Sequence, residues 1–403
     1  MKLLIVSQVF WPENFRINDL CTELVKLGHE VSVITGKPNY PKGKFYKGYG
    51  LFSKIKSDYN GATVYRIPII PRGSASGLSL SINYLSFAFF ASIFAFFHRK
   101  KYDFSFVFAV SPITSALPAI VHRAVYGTKH YLWVLDLWPE GVEVTGKLKS
   151  KFLKKQLYSL VKFIYRKSDK IYVSSRFMEN SIVEKLPTNH KKEIIYLPNW
   201  AEDHFVSENV DKTKYASLIP KGFIIMFAGN IGFGQDCPSI IKAAQLLQAE
   251  KNVKFVLLGD GSEKQYMEQQ VKELGLENTV YFLGSYPIEE MPHFYCHADM
   301  MLLTLRGGSI YNYTVPGKLQ SYLASKKPIV AMINGETKEI IEKSKSGIVV
   351  NAEEYKLFAE KIAEVAKKPK SIFEEMGQNG YEYYFKTFTK KIVITTLLDS
   401  VKN

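Results

Sequence analysis

The sequence predicts an α/β protein built from two doubly wound, Rossmann-like domains that face each other across an interdomain cleft. Its length of 403 residues argues against a single domain, because one hydrophobic core stops growing at about 250–300 residues. Short apolar runs alternate with helical stretches through both halves, without the strict polar alternation of half-exposed strands. Such runs are typical of parallel strands that are covered on both faces.

The first half contains five short apolar runs that predict buried strands. They cover residues 3–9, 31–35, 104–109, 131–135 and 170–174, and a helix is predicted over residues 18–27. The first run could be mistaken for a signal peptide, but it is too short and lacks a small-residue cleavage site. We therefore expect it to be the first strand of the sheet.

The second half repeats the pattern more regularly. Strands are predicted over residues 224–228, 254–258, 280–283, 300–305, 329–332 and 347–350, and helices over 238–248, 263–274 and 353–366. A polar segment at 201–221 is the predicted linker. The predicted domains are residues 1–203 and 204–380, and residues 381–403 are expected to form a helix that crosses back onto the first domain.

The composition is that of a globular protein with an acidic partner. A net charge of +15 indicates an acidic binding partner, which could be nucleic acid, anionic lipid or a phosphorylated substrate. The three cysteines are scattered and the histidines show no metal-ligand spacing. Neither a disulfide framework nor a metal site is predicted. The scattered cysteines are consistent with a protein of the reducing cytoplasm.

Two segments bear on the choice among these partners. Residues 78–97 are about as long as a membrane span, and Ser79, Asn83 and Ser86 form a polar stripe at helical spacing. A buried core helix, a helix dipping into one leaflet and a true span all stay open. Residues 146–170 carry nine Lys or Arg against one acidic residue, on an apolar pattern of helical spacing. This basic amphipathic helix favours an anionic membrane surface over nucleic acid, although a solvated helix face is an alternative.

A turn followed by a short helix is the strongest candidate site in the second half. Pro316 and Gly317 predict the turn, and Lys318 falls in the first turn of the helix. The helix dipole disfavours a cation there unless an anion is also present. The arrangement suits a bound diphosphate, and a solvated lysine beside an ordinary turn is the alternative.

Two glycine-containing loops follow neighbouring predicted strands of the same half. Gly229 and Gly232 stand after the first strand, and Gly259 and Gly261 after the next. Glycines let backbone amides approach phosphate oxygens, although tight turns also need glycine for structural reasons. Together with Lys318, these loops predict a nucleotide-sugar site.

The first half contributes candidates for binding an acceptor. Its first loop, residues 7–19, has no glycine. The glycine-rich dinucleotide-binding motif of a Rossmann dehydrogenase is therefore missing, which argues against that interpretation. Glu13 and Arg16 could bind hydroxyls or phosphate of an acceptor, or could pair with each other at the loop surface. Asn14 and Asn39 are further acceptor candidates.

Asp136 directly follows the predicted strand 131–135. Its carboxylate could stabilise positive charge that develops at a sugar's anomeric carbon, or accept a proton. Capping of the turn that begins at Pro139 is the alternative. Glu140 and Glu143 resemble a carboxylate pair, but a solvated helix face explains them better.

Two motifs are specific: Asp-Leu-Trp-Pro-Glu at 136–140 and Val-Pro-Gly-Lys-Leu-Gln-Ser-Tyr at 315–322. Commoner ones are Leu-Pro-Asn-Trp at 197–200 and Gly-Asn-Ile-Gly at 229–232. With them, almost the whole chain resembles glycosyltransferase family 4, and within it the WbuB-type branch of O-antigen and capsule enzymes. The resemblance implies a GT-B fold, a metal-independent reaction with retention, and a nucleotide-sugar donor held by the C-terminal domain.

The chain departs from the wider family at four of its functional positions. Tyr313 and Ser321 stand where the family has two glutamates, Leu135 replaces a histidine and Asn230 an arginine. The resemblance then implies that Lys318 and Arg306 neutralise the leaving diphosphate and that Asp136 takes the electrostatic role at the reacting carbon. The implied donor contacts are Gly229, Asn230, Gly232, Gln235, Gly259, Gly261, Tyr313, Pro316, Gly317, Gln320 and Ser321.

The expected function is sugar transfer at the cytoplasmic face of the inner membrane, by a peripheral protein. The donor would be a UDP-sugar, with N-acetylfucosamine as a candidate sugar, and no other cofactor or metal is expected. The acceptor would be a polyprenyl-diphosphate-linked saccharide, and nucleic acid is not an expected partner. The alternatives are a UDP-sugar 2-epimerase of the same fold and a non-catalytic partner that binds nucleotide sugars or lipid.

Overall fold

A computed structural model describes residues 1–74, 76–144, 150–206 and 210–402. The chain divides into two compact units, Met1–Leu197 and Pro198–Asn403. Each unit has its own sheet covered by helices, so the α/β prediction with two Rossmann-like domains is confirmed. The return of the C-terminal helix to the first domain stays a prediction.

The first unit is built on an eight-stranded sheet in the order β3-β4-β2-β1-β5-β6-β7-β8. All neighbouring strands are parallel except the β3–β4 hairpin. The strands are β1 Lys2–Val6, β2 Glu30–Gly36, β3 Lys56–Tyr59, β4 Ala62–Ile67, β5 Phe104–Ala109, β6 Lys129–Val134, β7 Lys170–Val173 and β8 Glu193–Tyr196. The helices are α1 Arg16–Lys26, α2 Gly77–Phe97, α3 Leu117–Tyr126, α4 Glu140–Val144, α5 Lys151–Lys167 and α6 Met178–Val183.

Three strands of this sheet were not predicted. β3, β4 and β8 lie at or next to the sheet edges, and none of them is buried throughout its length. Because the apolar runs used for prediction mark strands covered on both faces, partly exposed strands escape that criterion.

Helix α2 turns its polar stripe inward and its large apolar side chains outward. Asn83 is fully buried, and its amide accepts a hydrogen bond from Gln8 Nε2 at 2.7 Å and donates one to the Ile70 carbonyl at 2.6 Å. Ser86 is also buried and accepts a hydrogen bond from the Ile70 amide. The exposed large apolar side chains are Leu78, Ile82, Leu85, Phe89, Phe90, Ile93, Phe96 and Phe97. The helix is long and apolar enough to span a membrane, yet its polar face is bonded into the first unit.

Replacing Asn83 with leucine is expected to lower the free energy of unfolding by about 1–3 kcal/mol, because two buried groups lose their hydrogen-bond partner. Urea denaturation measures the loss, and Ser81→Leu, at an exposed position of the same helix, is the matched control. A transmembrane helix would tolerate the more apolar residue. An Asn83→Leu protein as stable as the control would therefore show that α2 is not fixed through this amide.

The second unit has a six-stranded, all-parallel sheet in the order β11-β10-β9-β12-β13-β14. The strands are β9 Phe223–Ala228, β10 Val253–Leu258, β11 Val280–Gly284, β12 Met300–Thr304, β13 Ile329–Met332 and β14 Gly347–Val350. The helices are α7 Cys237–Leu246, α8 Lys264–Glu273, α9 Met291–Tyr295, α10 Ser309–Asn312, α11 Gly317–Ala324, α12 Gly335–Ser344, α13 Tyr355–Val365, α14 Lys370–Thr387 and α15 Lys390–Lys402. The core lies between the sheet and the helices, with α7 and α13 packed together.

The segment 381–403, which was predicted to be one helix, contains the end of α14 and the whole of α15. α14 ends at Thr387, and the amide of the fully buried Phe388 still donates to the Tyr384 carbonyl at 2.7 Å. The hydroxyl of Thr389 then accepts the Ile392 amide at the start of α15. A side-chain cap of this kind satisfies a free N–H at the start of a second helix, and the periodicity alone does not show it.

Candidate functional site

The N-terminus of α11 lies where the strands of the second sheet end. Pro316 is its N-cap in an extended conformation, Gly317 is the first helical residue, and Lys318 is in the first turn. The hydroxyl of Tyr322 accepts the Ala228 amide at 3.2 Å, which fixes the helix against the end of β9. The turn and helix predicted from the Pro-Gly-Lys motif are confirmed.

The ammonium of Lys318 is held over an aromatic ring beside the first strand. Its Nζ lies 3.8 Å from the centroid of the Phe227 ring and donates a hydrogen bond to Gln235 Oε1 at 2.5 Å. Desolvation by the surrounding protein lowers the pKa of the Lys318 ammonium to about 7. Near neutral pH the amine is therefore present in both its charged and its neutral form, and a nearby anion would favour the charged form.

The glycines around Lys318 serve close packing. Gly229 has a φ of +137°, and a Cβ there would lie 3.3 Å from Lys318 Cε. A Cβ on Gly259, whose φ is +138°, would lie 1.8 Å from the Gly229 carbonyl oxygen. The amides of Gly229, Gly259 and Gly261 all donate within the protein, to the Leu258 and Gly284 carbonyls and to Asp260 Oδ1. The absence of side chains at these three glycines thus allows Lys318 and the neighbouring loop to approach closely. Their backbone amides already donate hydrogen bonds within the protein.

Arg306 is tied to the loop that carries Gln235. Its Nε donates to the Phe233 carbonyl at 2.6 Å, and its guanidinium lies 3.7 Å from the centroid of the Phe233 ring. Thr304 holds the same loop by donating to the Gln235 carbonyl at 2.6 Å. Lys318 and Arg306 therefore both bind the loop 233–235.

The other residues that were predicted to contact the nucleotide-sugar donor differ in how deeply they are buried. Gln320 is fully buried, and its amide nitrogen donates to the Gly317 and Pro316 carbonyls when it faces them. Ser321 is buried and donates to the Gly317 carbonyl. Both side chains thus satisfy the first turn of α11. Tyr313 is half-buried, Asn230 is exposed, and the Asn230 amide lies against Gly232.

Asp236 belongs to the site's surroundings and was not predicted. It is buried, caps α7 with a φ of +52°, and its Oδ2 has no hydrogen-bond partner among the described residues. Desolvation raises the pKa of its carboxyl above the usual value. The sequence signal, an Asp directly before Cys-Pro at a helix start, is too common to single it out.

In the first unit, Glu13 and Asn39 connect the loops after β1 and β2 through hydrogen bonds. Glu13 is buried, and its Oε1 accepts the amides of Asn39 and Tyr40 at 2.7 and 2.6 Å. Asn39 is also buried and accepts the Arg72 amide at 3.0 Å. Asn14 is exposed and Arg16 begins α1. Of the four predicted acceptor contacts, only Asn14 has a largely exposed side chain.

Asp136 keeps an accessible side chain just after β6. Its Oδ2 accepts hydrogen bonds from the Ser111 amide at 3.0 Å and from the Ser111 hydroxyl at 2.9 Å. Desolvation by the surrounding protein raises the pKa of the carboxyl, and the two hydrogen bonds oppose that rise. Glu140 is instead paired with Lys185 at 2.5 Å, so it serves the structure of the unit. Within the described residues, no three His, Cys, Asp or Glu side chains cluster to hold a metal ion.

Comparison with known proteins gives the same division of the chain. Residues 14–200 match the glycosyl transferase 4-like domain, and residues 209–383 match glycosyl transferases group 1. The chain is 27% identical over 338 residues to the putative colanic acid biosynthesis glycosyl transferase WcaI of Escherichia coli, covering 80% of this chain and 81% of that one.

Two further proteins are informative. The chain is 27% identical over 183 residues to the N-acetylgalactosamine-N,N'-diacetylbacillosaminyl-diphospho-undecaprenol 4-alpha-N-acetylgalactosaminyltransferase of Campylobacter jejuni, covering 45% of this chain and 46% of that one. The crystal structure of Anabaena HepE in complex with UDP and glucose superimposes with a TM-score of 0.70 at 13% identity, covering all of both chains. The chain therefore joins a glycosyl transferase 4-like domain to a glycosyl transferases group 1 domain, and it is a glycosyltransferase with the GT-B fold.

Proposed function

We propose that the chain is a retaining, metal-independent transferase that moves a sugar from a UDP-sugar to a polyprenyl-diphosphate-linked saccharide in O-antigen or capsule synthesis. The observation that carries the proposal is Lys318, a partly desolvated cation at the start of α11. The binding of UDP by HepE supports the donor class. The diphospho-undecaprenol acceptor of the Campylobacter enzyme supports the acceptor class. N-acetylfucosamine is the candidate sugar, from the WbuB-type resemblance.

In the proposed reaction, an acceptor hydroxyl attacks the anomeric carbon as the bond from that carbon to the donor's diphosphate oxygen breaks. The proton of the hydroxyl passes to the leaving diphosphate on the same face of the sugar, so the configuration is retained. Lys318 and Arg306 would stabilise the negative charge that develops on the diphosphate. Asp136 would stabilise the positive charge on the anomeric carbon.

We also propose that the first unit sits on the cytoplasmic face of the inner membrane. Leu85, Phe89 and Phe97 of α2 are 60%, 61% and 70% exposed, and a contiguous apolar face of this kind usually marks an interaction surface. α3 packs against both α2 and α5, so the three helices lie side by side. α5 adds the exposed Phe152 and a series of lysines and arginines. Apolar and basic surfaces together suit anionic lipid. Lys147 and Lys149 of the basic segment lie outside the described residues.

The experiment that tests the proposal mixes purified protein with UDP-sugars and polyprenyl-diphosphate saccharides, and follows both UDP release and labelled lipid. Transfer requires both substrates together, in EDTA as well as in magnesium. A 2-epimerase, which the comparisons do not favour, would change the UDP-sugar without any acceptor. A non-catalytic partner would bind UDP and release none.

Donor binding is expected to take up nearly one proton per UDP at pH 8. Lys318 is mostly neutral there because its pKa is about 7, and a bound diphosphate raises that pKa. Affinity should then fall as pH rises above 7, by up to about tenfold per pH unit until the raised pKa is passed. Calorimetry in two buffers of different ionisation enthalpy measures the uptake.

Lys318→Arg is the matched control for this titration, since a guanidinium stays charged across the whole range. The arginine variant should bind UDP without proton uptake. Equal uptake by the two proteins would assign the titration to another group.

A further inference from the structure

The loops after β2 and β4 form an unusually basic part of the first unit. Residues 31–102 contain eleven Lys or Arg and a single acidic residue, Asp58. The Gly73 amide donates to the Gly43 carbonyl at 3.0 Å, and a Cβ on Gly43 would lie 1.9 Å from the Gly73 carbonyl oxygen. This contact holds a lysine-rich loop, with Lys42 and Lys44 exposed, beside Arg72.

Arg72 is oriented by its neighbours but incompletely bonded. Its backbone amide donates to Asn39 Oδ1, and its Nη2 donates to the Tyr84 hydroxyl at 3.1 Å. The guanidinium lies 5.0 Å from the centroid of the Tyr40 ring and 5.9 Å from that of Tyr84. Its Nε is buried and has no hydrogen-bond acceptor among the described residues. An orphaned guanidinium N–H of this kind indicates a partner still to be bound.

Little negative charge faces this group from the elements around it. Glu13 is the nearby carboxylate, and the amides of Phe10, Asn39 and Tyr40 already occupy its oxygens. Two further cations, Lys37 and Arg66, are buried in the same unit and donate to carbonyl and hydroxyl oxygens, at Ser53 and at Trp11 and Ser57. Glu13 interacts electrostatically with both Arg72 and Arg66, so one carboxylate faces three cations among the described residues. This excess of positive charge favours a further anion nearby.

Arg72 is connected to the candidate catalytic carboxylate through a residue of the apolar helix. Tyr84 belongs to α2, the helix with the exposed apolar face, and its ring lies 6.4 Å from that of Trp138. Trp138 Nε1 donates to the Ser111 hydroxyl at 3.2 Å, and that hydroxyl donates to Asp136. A continuous chain of side-chain contacts therefore runs from Arg72 to Asp136 within the first unit.

We propose that Arg72 binds the diphosphate of the lipid-linked acceptor. A planar guanidinium with a free Nε can pair two of its N–H groups with phosphate oxygens, as a fork. The prenyl chain would then lie along the apolar face of α2, and the saccharide would extend toward Asp136. The proposal deepens the proposed function and rests on its acceptor class.

Farnesyl diphosphate is the probe, because it carries a prenyl diphosphate without a saccharide. Its binding is measured by calorimetry with UDP present at saturation, so that the Lys318 site is filled. Arg72→Gln is expected to weaken binding by about tenfold or more, and Tyr84→Phe, which loses the orienting hydroxyl, by a few-fold. Arg99→Gln removes the same charge from an exposed position just after α2 and is the matched control.

The outcomes separate this site from the donor site and from other sources of phosphate. UDP affinity should be unchanged in Arg72→Gln, which also shows that the variant is folded. Equal binding of farnesyl diphosphate by Arg72→Gln and Arg99→Gln would overturn the proposal. So would equal binding of farnesyl monophosphate, which indicates a lipid headgroup site, or of inorganic diphosphate, which indicates a free anion. Failure of UDP to bind the unmodified protein would overturn the donor assignment instead.

Discussion

Replacing Lys318 with alanine is expected to abolish sugar transfer, with a loss of about 10²–10³-fold in turnover. The ammonium lies over the Phe227 ring and beside Gln235, and the substitution removes the charge that meets the leaving diphosphate. UDP-release assays with a lipid-linked acceptor measure the loss. The fold should survive, because removal of a desolvated cation does not leave a buried charge behind.

Lys356→Ala is the matched control for this variant, since Lys356 is an exposed lysine on α13 of the same unit. It should leave turnover unchanged. Thermal unfolding of both variants should show one transition near that of the unmodified protein. A Lys318→Ala protein that is folded and turns over normally would remove Lys318 from the site.

Replacing Leu85, Phe89 and Phe97 together with serine is expected to release the protein from membranes. Each side chain is exposed in the structure, and its transfer into the lipid interface contributes about 1 kcal/mol or more. Three such losses lower the partition coefficient by about 10²-fold. Sedimentation with vesicles that contain anionic lipid measures the change.

The control variant carries the same kind of change on the second unit. In it, the exposed residues Leu218, Leu246 and Phe385 are replaced by serine. It should sediment like the unmodified protein. Replacing Lys151, Lys154 and Lys155 of α5 with glutamine should weaken binding to anionic vesicles, by about 1 kcal/mol per lysine at low salt. An α2 variant that still sediments fully would show that this face does not bind lipid.

The repeated strands and the Lys318 helix could be predicted because both depend on local sequence. Buried parallel strands have continuous apolar runs, and a Pro-Gly turn before a helix has its own residue preferences. The three partly exposed strands, β3, β4 and β8, have neither signal. The two-helix C-terminus was also missed, because its break depends on a threonine cap at Thr389.

The orientation of side chains could not be predicted in the same way. Periodicity placed Ser79, Asn83 and Ser86 on one face of α2, but it does not say which face meets the protein. Gln320 belongs to one of the two specific motifs, yet its amide points into the first turn of α11. Arg72 belongs to no motif, and only the three-dimensional arrangement of Tyr40 and Tyr84 around it identifies it.

We expect the second unit to bind the diphosphate of a nucleotide sugar through Lys318 without a metal. Calorimetric titration of UDP in EDTA, with the unmodified protein and with Lys318→Ala, tests it most directly, with GDP titrated beside it. We expect micromolar UDP binding by the unmodified protein, unchanged by magnesium and lost in the variant. Binding that requires magnesium, that persists in Lys318→Ala, or that occurs with GDP alone would contradict the account.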